Sequence, residues 1–276
     1  MARLFGFIGN RSDISPHVLK VEQEALTARA RGKALGWGFG FYQAGEVLLR
    51  RRPIDEHTVV DVASLTRDVR TDVLIGHVRN PTVGEPGTRN THPFRYRQWL
   101  FAHTGTLAQF EALRDRLVKS IPDFLMRNVR GDTDSELVFH LFLSFLHDAG
   151  KLTDDAPAAD VIAALRTTMA LVDRLSSEEG ADDAGPTGIM VSNGDYIVGL
   201  TRGAGMAYRL VHGQEDIEAL LPEDALRRSR LPDLARVRFT LLAADFDEPP
   251  KGRWKVLPDC STVVLGRYDE PIIESL

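Results

Sequence analysis

Four short stretches gather residue types that can do chemistry. In "GHVRNPT", His77 and Arg79 stand two apart at the end of an apolar run, so in a strand they share one face. A guanidinium there is a two-pronged clamp for a carboxylate. Taken alone, a surface ion pair is the commoner explanation of Arg79. In "NTHPF", Asn90 and His92 lie in a Pro/Gly/Asn-rich loop between two strand patterns, where scaffolds hold binding groups. In "FAHTGTL", a buried strand runs out at His103, and Thr104 and Gly105 turn the chain towards a helix. Backbone N–H groups at such a junction can stabilise an oxyanion, although a plain turn with a Thr cap fits the same letters. In "GDTDSE", Thr133 or Asp132 can cap a helix, with Glu136 completing a capping box from Thr133. Asp134 is left in the first turn, free to offer a carboxylate to a cation.

A fifth stretch, "GWGFGFY", alternates Gly36, Gly38 and Gly40 with Trp37, Phe39 and Phe41. The period of two makes one face bare backbone and the other aromatic. No helix follows, so a phosphate-cradling loop is excluded. Close packing on a neighbour and the approach of a ligand account for it equally well. Metal chemistry has little support. Glu136 and His140 have helical spacing, and His77, His92 and His103 could converge, but no H-E-x-x-H and no thiolate pair occur, and no zinc is expected. Neither a P-loop nor a Gly-x-Ser-x-Gly elbow is present. Cys260, the single cysteine, precedes a β-branched run and reads as a small apolar residue at a strand start.

The elements that must position these groups follow from periodicity. Residues 3–9 read as a buried strand, and 14–32 as a helix with Ser15 at its N-cap, Pro16 in its first turn and Gly32 as its stop. A hairpin turns at Gln43-Ala44-Gly45, and a short helix covers 56–69. Strands "DVLIGHV" and "QWLFAHT" flank the glycine-rich loop. Helices cover 107–118, 132–149 and about 156–176. A second hairpin turns at Asn193-Gly194, and short strands "RVRFTLLAA", "WKVLP" and "STVVLG" close the chain. Strands, then helices, then strands favour an antiparallel α+β layering.

Bulk composition sets outer limits. The 276 residues are 43% hydrophobic and 26% charged, as in an ordinary globular protein, and 1–276 is expected to form one domain. A net charge of −5 argues against non-specific nucleic-acid binding, and the clusters Arg50–Arg52 and Arg227–Arg230 read as solvated surface. One cysteine rules out a disulfide framework within the chain and suggests a reducing, cytoplasmic setting. No signal-peptide pattern and no run of transmembrane length appear, so no membrane partner is expected.

Each stretch is weak alone, but their order and spacing together resemble the stand-alone class II glutamine amidotransferases of the N-terminal-nucleophile hydrolase superfamily. The chain is also similar to small γ-glutamyl amide hydrolases of ergothioneine-type pathways. The likeness covers essentially the whole chain and is densest over "MARLFGF", "GWGFGFY", "GHVRNPT", "NTHPF", "FAHTGTL" and "GDTDSE", with "AADFDEPPKGRWKVLP" resembling the family's late part. It implies a four-layer αββα sandwich with two stacked antiparallel sheets. It implies a nucleophile at residue 2, whose own amine acts as base in attack on a γ-amide carbonyl. It implies oxyanion donors at Thr104 and Gly105, an α-carboxylate clamp at Arg79, a pocket-shaping role for His92 and an α-ammonium partner at Asp134. No cofactor is implied; glutamine or a γ-glutamyl small molecule would be the ligand, and an acceptor domain or partner protein would lie outside this chain.

Two positions depart from that pattern. Residue 2 is Ala2, where the family has cysteine, and a methyl group cannot attack a carbonyl. Residue 104 is Thr104, where the family has asparagine. An inactivating replacement in a working hydrolase, a natural homologue that binds an amino acid or regulates through a partner, and an enzyme with other chemistry all fit Ala2. Two altered positions in one chain favour the second, and a retained Met1, by blocking the amine of residue 2, would argue against the third.

Overall fold

A computed structural model describes every residue except 1, 30–34, 58, 81–82, 153–154, 182–184, 222–233 and 247. The retention of Met1, the helix stop at Gly32 and the cluster Arg227–Arg230 lie outside the described residues. The first half runs β1 (Arg3–Gly9), α1 (Ser15–Val21), α2 (Gln23–Leu26), β2 (Ala28–Arg29), β3 (Leu35–Gln43), β4 (Glu46–Asp55), β5 (Val59–Val60), α3 (Val62–Thr66), β6 (Val73–Arg79), β7 (Phe94–Tyr96) and β8 (Trp99–Gly105). The second half runs α4 (Phe110–Lys119), α5 (Asp123–Met126), α6 (Asp134–Asp148), α7 (Ala158–Glu178), β9 (Thr187–Ser192), β10 (Tyr196–Arg202), β11 (Met206–His212), α8 (Gly213–Leu220), β12 (Arg238–Ala244), β13 (Lys255–Val256), β14 (Ser261–Gly266) and β15 (Ile272–Ser275).

Two large antiparallel sheets, beside the two-stranded pair β2-β5, form among the described residues. One has the order β13-β11-β12-β1-β6-β3-β4, the other β15-β14-β10-β9-β8-β7. Strand alternation sorts their side chains into three cores. Leu4 and Ile8 of β1, Ile75 of β6, Leu100 and Ala102 of β8 and Met190 of β9 meet between the sheets. The opposite face of the first sheet, with Phe5, Phe7, Phe39 and Phe41, packs on Val18 and Leu19 of α1 and Ile217 of α8. The opposite face of the second, with Trp99 and Phe101, packs on Leu117 of α4, Phe139 and Phe142 of α6 and Leu165 of α7. Helix, sheet, sheet and helix therefore stack as the αββα sandwich that the resemblance implies.

The alternating glycines of β3 belong to this packing. Their bare face looks into the space between the sheets. A Cβ added at Gly38 would stand 2.2 Å from the carbonyl oxygen of His92, and one at Gly40 would stand 2.8 Å from a methyl of Leu100. Trp37 and Phe39, on the other face, stack at 5.8 Å.

Three local expectations are corrected. The helix expected over 14–32 is two short helices that end at Leu26. Glu22 sits at the break, its carboxylate accepting from the indole of Trp254 at 2.8 Å and from Arg209 at 3.3 Å. Ile14, not Ser15, is the N-cap, and the Ser15 hydroxyl donates to the carbonyl of Ser12 instead. The 56–69 segment holds a short strand, β5, before its helix, paired with β2. Cys260 does stand at a strand start, directly before β14, and is exposed at φ +51.

Replacing Gly38 by Ala drives a methyl against backbone that cannot step aside, and is expected to lower unfolding free energy by about 1–3 kcal/mol. Urea denaturation checks this; an unchanged midpoint would contradict the close-approach account of "GWGFGFY".

Candidate functional site

The site lies at one end of the gap between the sheets. Alternation puts Ile75, His77 and Arg79 of β6 on the inner face, and continuing Ile8, Gly6 and Leu4 backwards puts Ala2 there too. The β1–β6 register pairs Leu4 with His77 and Arg3 with Val78, so Ala2 falls opposite Arg79. From the other sheet, β8 sends Thr104 into the gap and turns His103 outwards to α6. A cavity of about 560 Å³ opens between them, and Ala2, Arg79, His92, Thr104, Gly105 and Asp134 all line it. His77, His103, Ser135, Asp245 and Phe246 line it as well.

The loop after β6 and the start of α6 are fastened to each other. Arg79 is buried and donates to the carbonyls of Val83 and Gly84, which folds the loop back over its own strand. Asn90 donates to Asp132 and accepts from the Asp132 amide at 3.1 Å. Thr133 is the N-cap of α6 and accepts from the Glu136 amide at 3.3 Å. Glu136 does not return the bond to its cap; it accepts from the amides of Arg130 and Gly131, so only half of the expected capping box forms.

Asp134 is 3% exposed, and its carboxylate already carries internal bonds. Oδ2 accepts from the Leu107 amide at 2.9 Å and Oδ1 from the Ser135 amide at 2.8 Å. Oδ1 is also within reach of the Ser135 hydroxyl, at 3.3 Å, so Oδ2 is the oxygen that keeps lone-pair capacity for a further donor. Ser135 Oγ lies 2.9 Å from Nδ1 of His103 and links β8 to α6.

The histidines form a buried, neutral group. The rings of His77 and His92 meet edge to face at 4.6 Å. Burial pulls His77 down to about 3, with neighbouring His103 and Arg79 further disfavouring a charge on it. Burial also holds His92 well below the usual range, reinforced by His77, His103, Arg79 and Arg51. His103 is lowered by burial, opposed by Asp134. Burial likewise lowers Arg79, while Asp134 and Asp132 favour its charge. Both ring nitrogens of His77 and of His92 lack a hydrogen-bond partner among the described residues. Among those residues, no group of three or more His, Cys, Asp or Glu is arranged to hold a metal ion.

One residue that sequence reasoning passed over changes the chemistry. Asp245 follows β12 at φ +68, and its Oδ2 accepts the hydroxyl of Thr104 at 2.9 Å. The signal was present in "AADFDEPP": an acid directly after a buried strand, in a stretch given no role. A hydroxyl has one proton to donate. While Thr104 gives it to Asp245, Thr104 does not serve as an oxyanion donor.

The sequence model of the family "Glutamine amidotransferases class-II" matches residues 1–212. A Saccharomyces cerevisiae protein named "probable glutamine amidotransferase" is 33% identical over 90 residues, 33% of this chain and 25% of its own length. The glutamine–fructose-6-phosphate aminotransferase of Chlamydia muridarum is 30% identical over 159 residues, 55% of this chain and 23% of its own. The matches thus span about a quarter of each of these relatives. In fold, the chain is similar to a glutamine aminotransferase class-II domain protein from Silicibacter pomeroyi, with a TM-score of 0.64 and 18% identity over 99% of this chain and 98% of that one. The glutamine phosphoribosylpyrophosphate amidotransferase of B. subtilis gives 0.56 and 13% identity over 99% and 49%. Among the described residues, no helix is long and apolar enough to cross a membrane.

The neutral histidines make stability sensitive to acid. Their folded-state pKa values are depressed, so below pH 6.5 the unfolded chain takes up protons that the folded chain refuses. Stability present above pH 6.5 therefore falls as pH drops towards the value of about 3 for His77, by about 1.4 kcal/mol per pH unit for each such histidine. Urea midpoints at neutral and mildly acidic pH should show a shallower decline for His77→Gln than for the unmodified protein; parallel declines would contradict it.

Proposed function

The chain belongs to the class II glutamine amidotransferases, and we propose that it binds an α-amino acid in its inter-sheet cavity without hydrolysing a γ-amide. The observation that carries this reading is the convergence on one cavity of Arg79, Asp134 and Ala2 from three separate segments. Arg79 clamps the ligand's α-carboxylate and Asp134 takes its α-ammonium. One cation for one anion and one anion for one cation is what a desolvated zwitterion needs. His92 shapes the wall between them.

Hydrolysis fails at two points. Ala2 offers neither a thiolate nor a hydroxyl for attack. The oxyanion position is weakened too, because Thr104 gives its hydroxyl to Asp245. Loss of a single oxyanion donor lowers turnover by about 10²–10³-fold in other hydrolases, so both changes act in the same direction. A homologue that binds amino acids and acts through a partner protein is the setting this combination suits best.

Purified protein is expected to release no ammonia from L-glutamine above the uncatalysed background. Ala2→Cys alone should give little or no turnover. Ala2→Cys with Thr104→Asn should exceed it by about 100-fold. Steady glutamine turnover by the unmodified chain would refute the reading.

A further inference from the structure

Among the described residues, the charges lining the cavity do not balance for a neutral zwitterion. Those residues carry one guanidinium, Arg79, and two carboxylates, Asp134 and Asp245. The three histidines of the wall are buried and uncharged. An amino acid with a neutral side chain, seated on Arg79 and Asp134, leaves Asp245 without a countercharge inside a partly desolvated site. Among the described residues Asp245 makes no ion pair; the hydroxyl of Thr104 is the donor on Oδ2, and Oδ1 receives no hydrogen bond. His77 and His92, 4% exposed, line the same cavity with their ring nitrogens buried. Burial disfavours their charged forms, so this wall does not repel a cation.

We propose that the cavity is selective for a basic α-amino acid whose terminal ammonium pairs with Asp245, L-ornithine being the member that matches glutamine in length. This inference rests on the amino-acid reading of Arg79 and Asp134. Ornithine is glutamine with the amide carbonyl replaced by a methylene, so its terminal nitrogen takes the place of the amide nitrogen. Beside Thr104, glutamine has to turn its amide NH2 to the carboxylate and its carbonyl oxygen away, and it brings no charge there. Ornithine has no such oxygen and brings three N–H donors and a positive charge. The pairing is charge-assisted, and selectivity comes as much from discouraging the amide as from rewarding the ammonium.

Calorimetric titration of the full chain with L-ornithine, L-glutamine and L-norvaline, which lacks the terminal nitrogen, tests this. Ornithine is expected to bind at least about tenfold more tightly than either of the others. Asp245→Asn should reduce the ratio of ornithine to norvaline affinity to about twofold or less, and Thr104→Val, which leaves the carboxylate in place, should keep ornithine preferred. Circular dichroism checks that both variants fold; if Asp245→Asn does not, the ornithine-to-norvaline ratio of the unmodified protein decides. Glutamine or norvaline binding as well as ornithine would overturn this inference and leave the amino-acid reading standing. Binding of none of the three would overturn both.

Discussion

The site depends on how closely two sheets approach at one end. β3 has no side chains on its inner face at Gly36, Gly38 and Gly40, and the loop carrying His92 settles directly on that bare backbone. A strand of ordinary composition would hold the loop away. His92 could not then meet His77 edge to face, and the cavity wall between Arg79 and Thr104 would open. The aromatic residues alternating with those glycines turn outwards and anchor β3 to the helices on its other face. One period-two pattern thus serves both packing and site.

From that approach the chemistry is assembled from strands that end together. β1 and β6 run antiparallel in register, so residue 2 of one lies beside Arg79 at the end of the other. β8 brings Thr104 across the gap, and β12 ends at Asp245, whose carboxylate takes the hydroxyl of Thr104. Groups held this way on sheet ends move little relative to one another, which suits recognition of a small zwitterion with charges at fixed separation. Cys260 is exposed, on the loop before β14, and does not line the cavity.

Much of this was legible from residue order. The apolar run at 3–9 read as a buried strand, and alternation put His77 and Arg79 on one face. Turn chemistry located both hairpins. What escaped were features decided by distant contacts. Glu22, at the break between the first two helices, is held by Trp254 and Arg209, more than 180 residues away. Asp245 was invisible as a site residue because its partner, Thr104, is 141 residues away along the chain. Asp134 was read as a free carboxylate, whereas backbone amides at residues 107 and 135 already hold it in place.

The most direct test of the account is a crystal structure of the unmodified protein soaked with L-glutamine. The account predicts an intact amino acid in the inter-sheet cavity, with its carboxylate on Arg79, its ammonium at Asp134 and its side chain directed at Ala2. Glutamate in place of glutamine, a covalent adduct, or an amino acid seated away from Arg79 would contradict it.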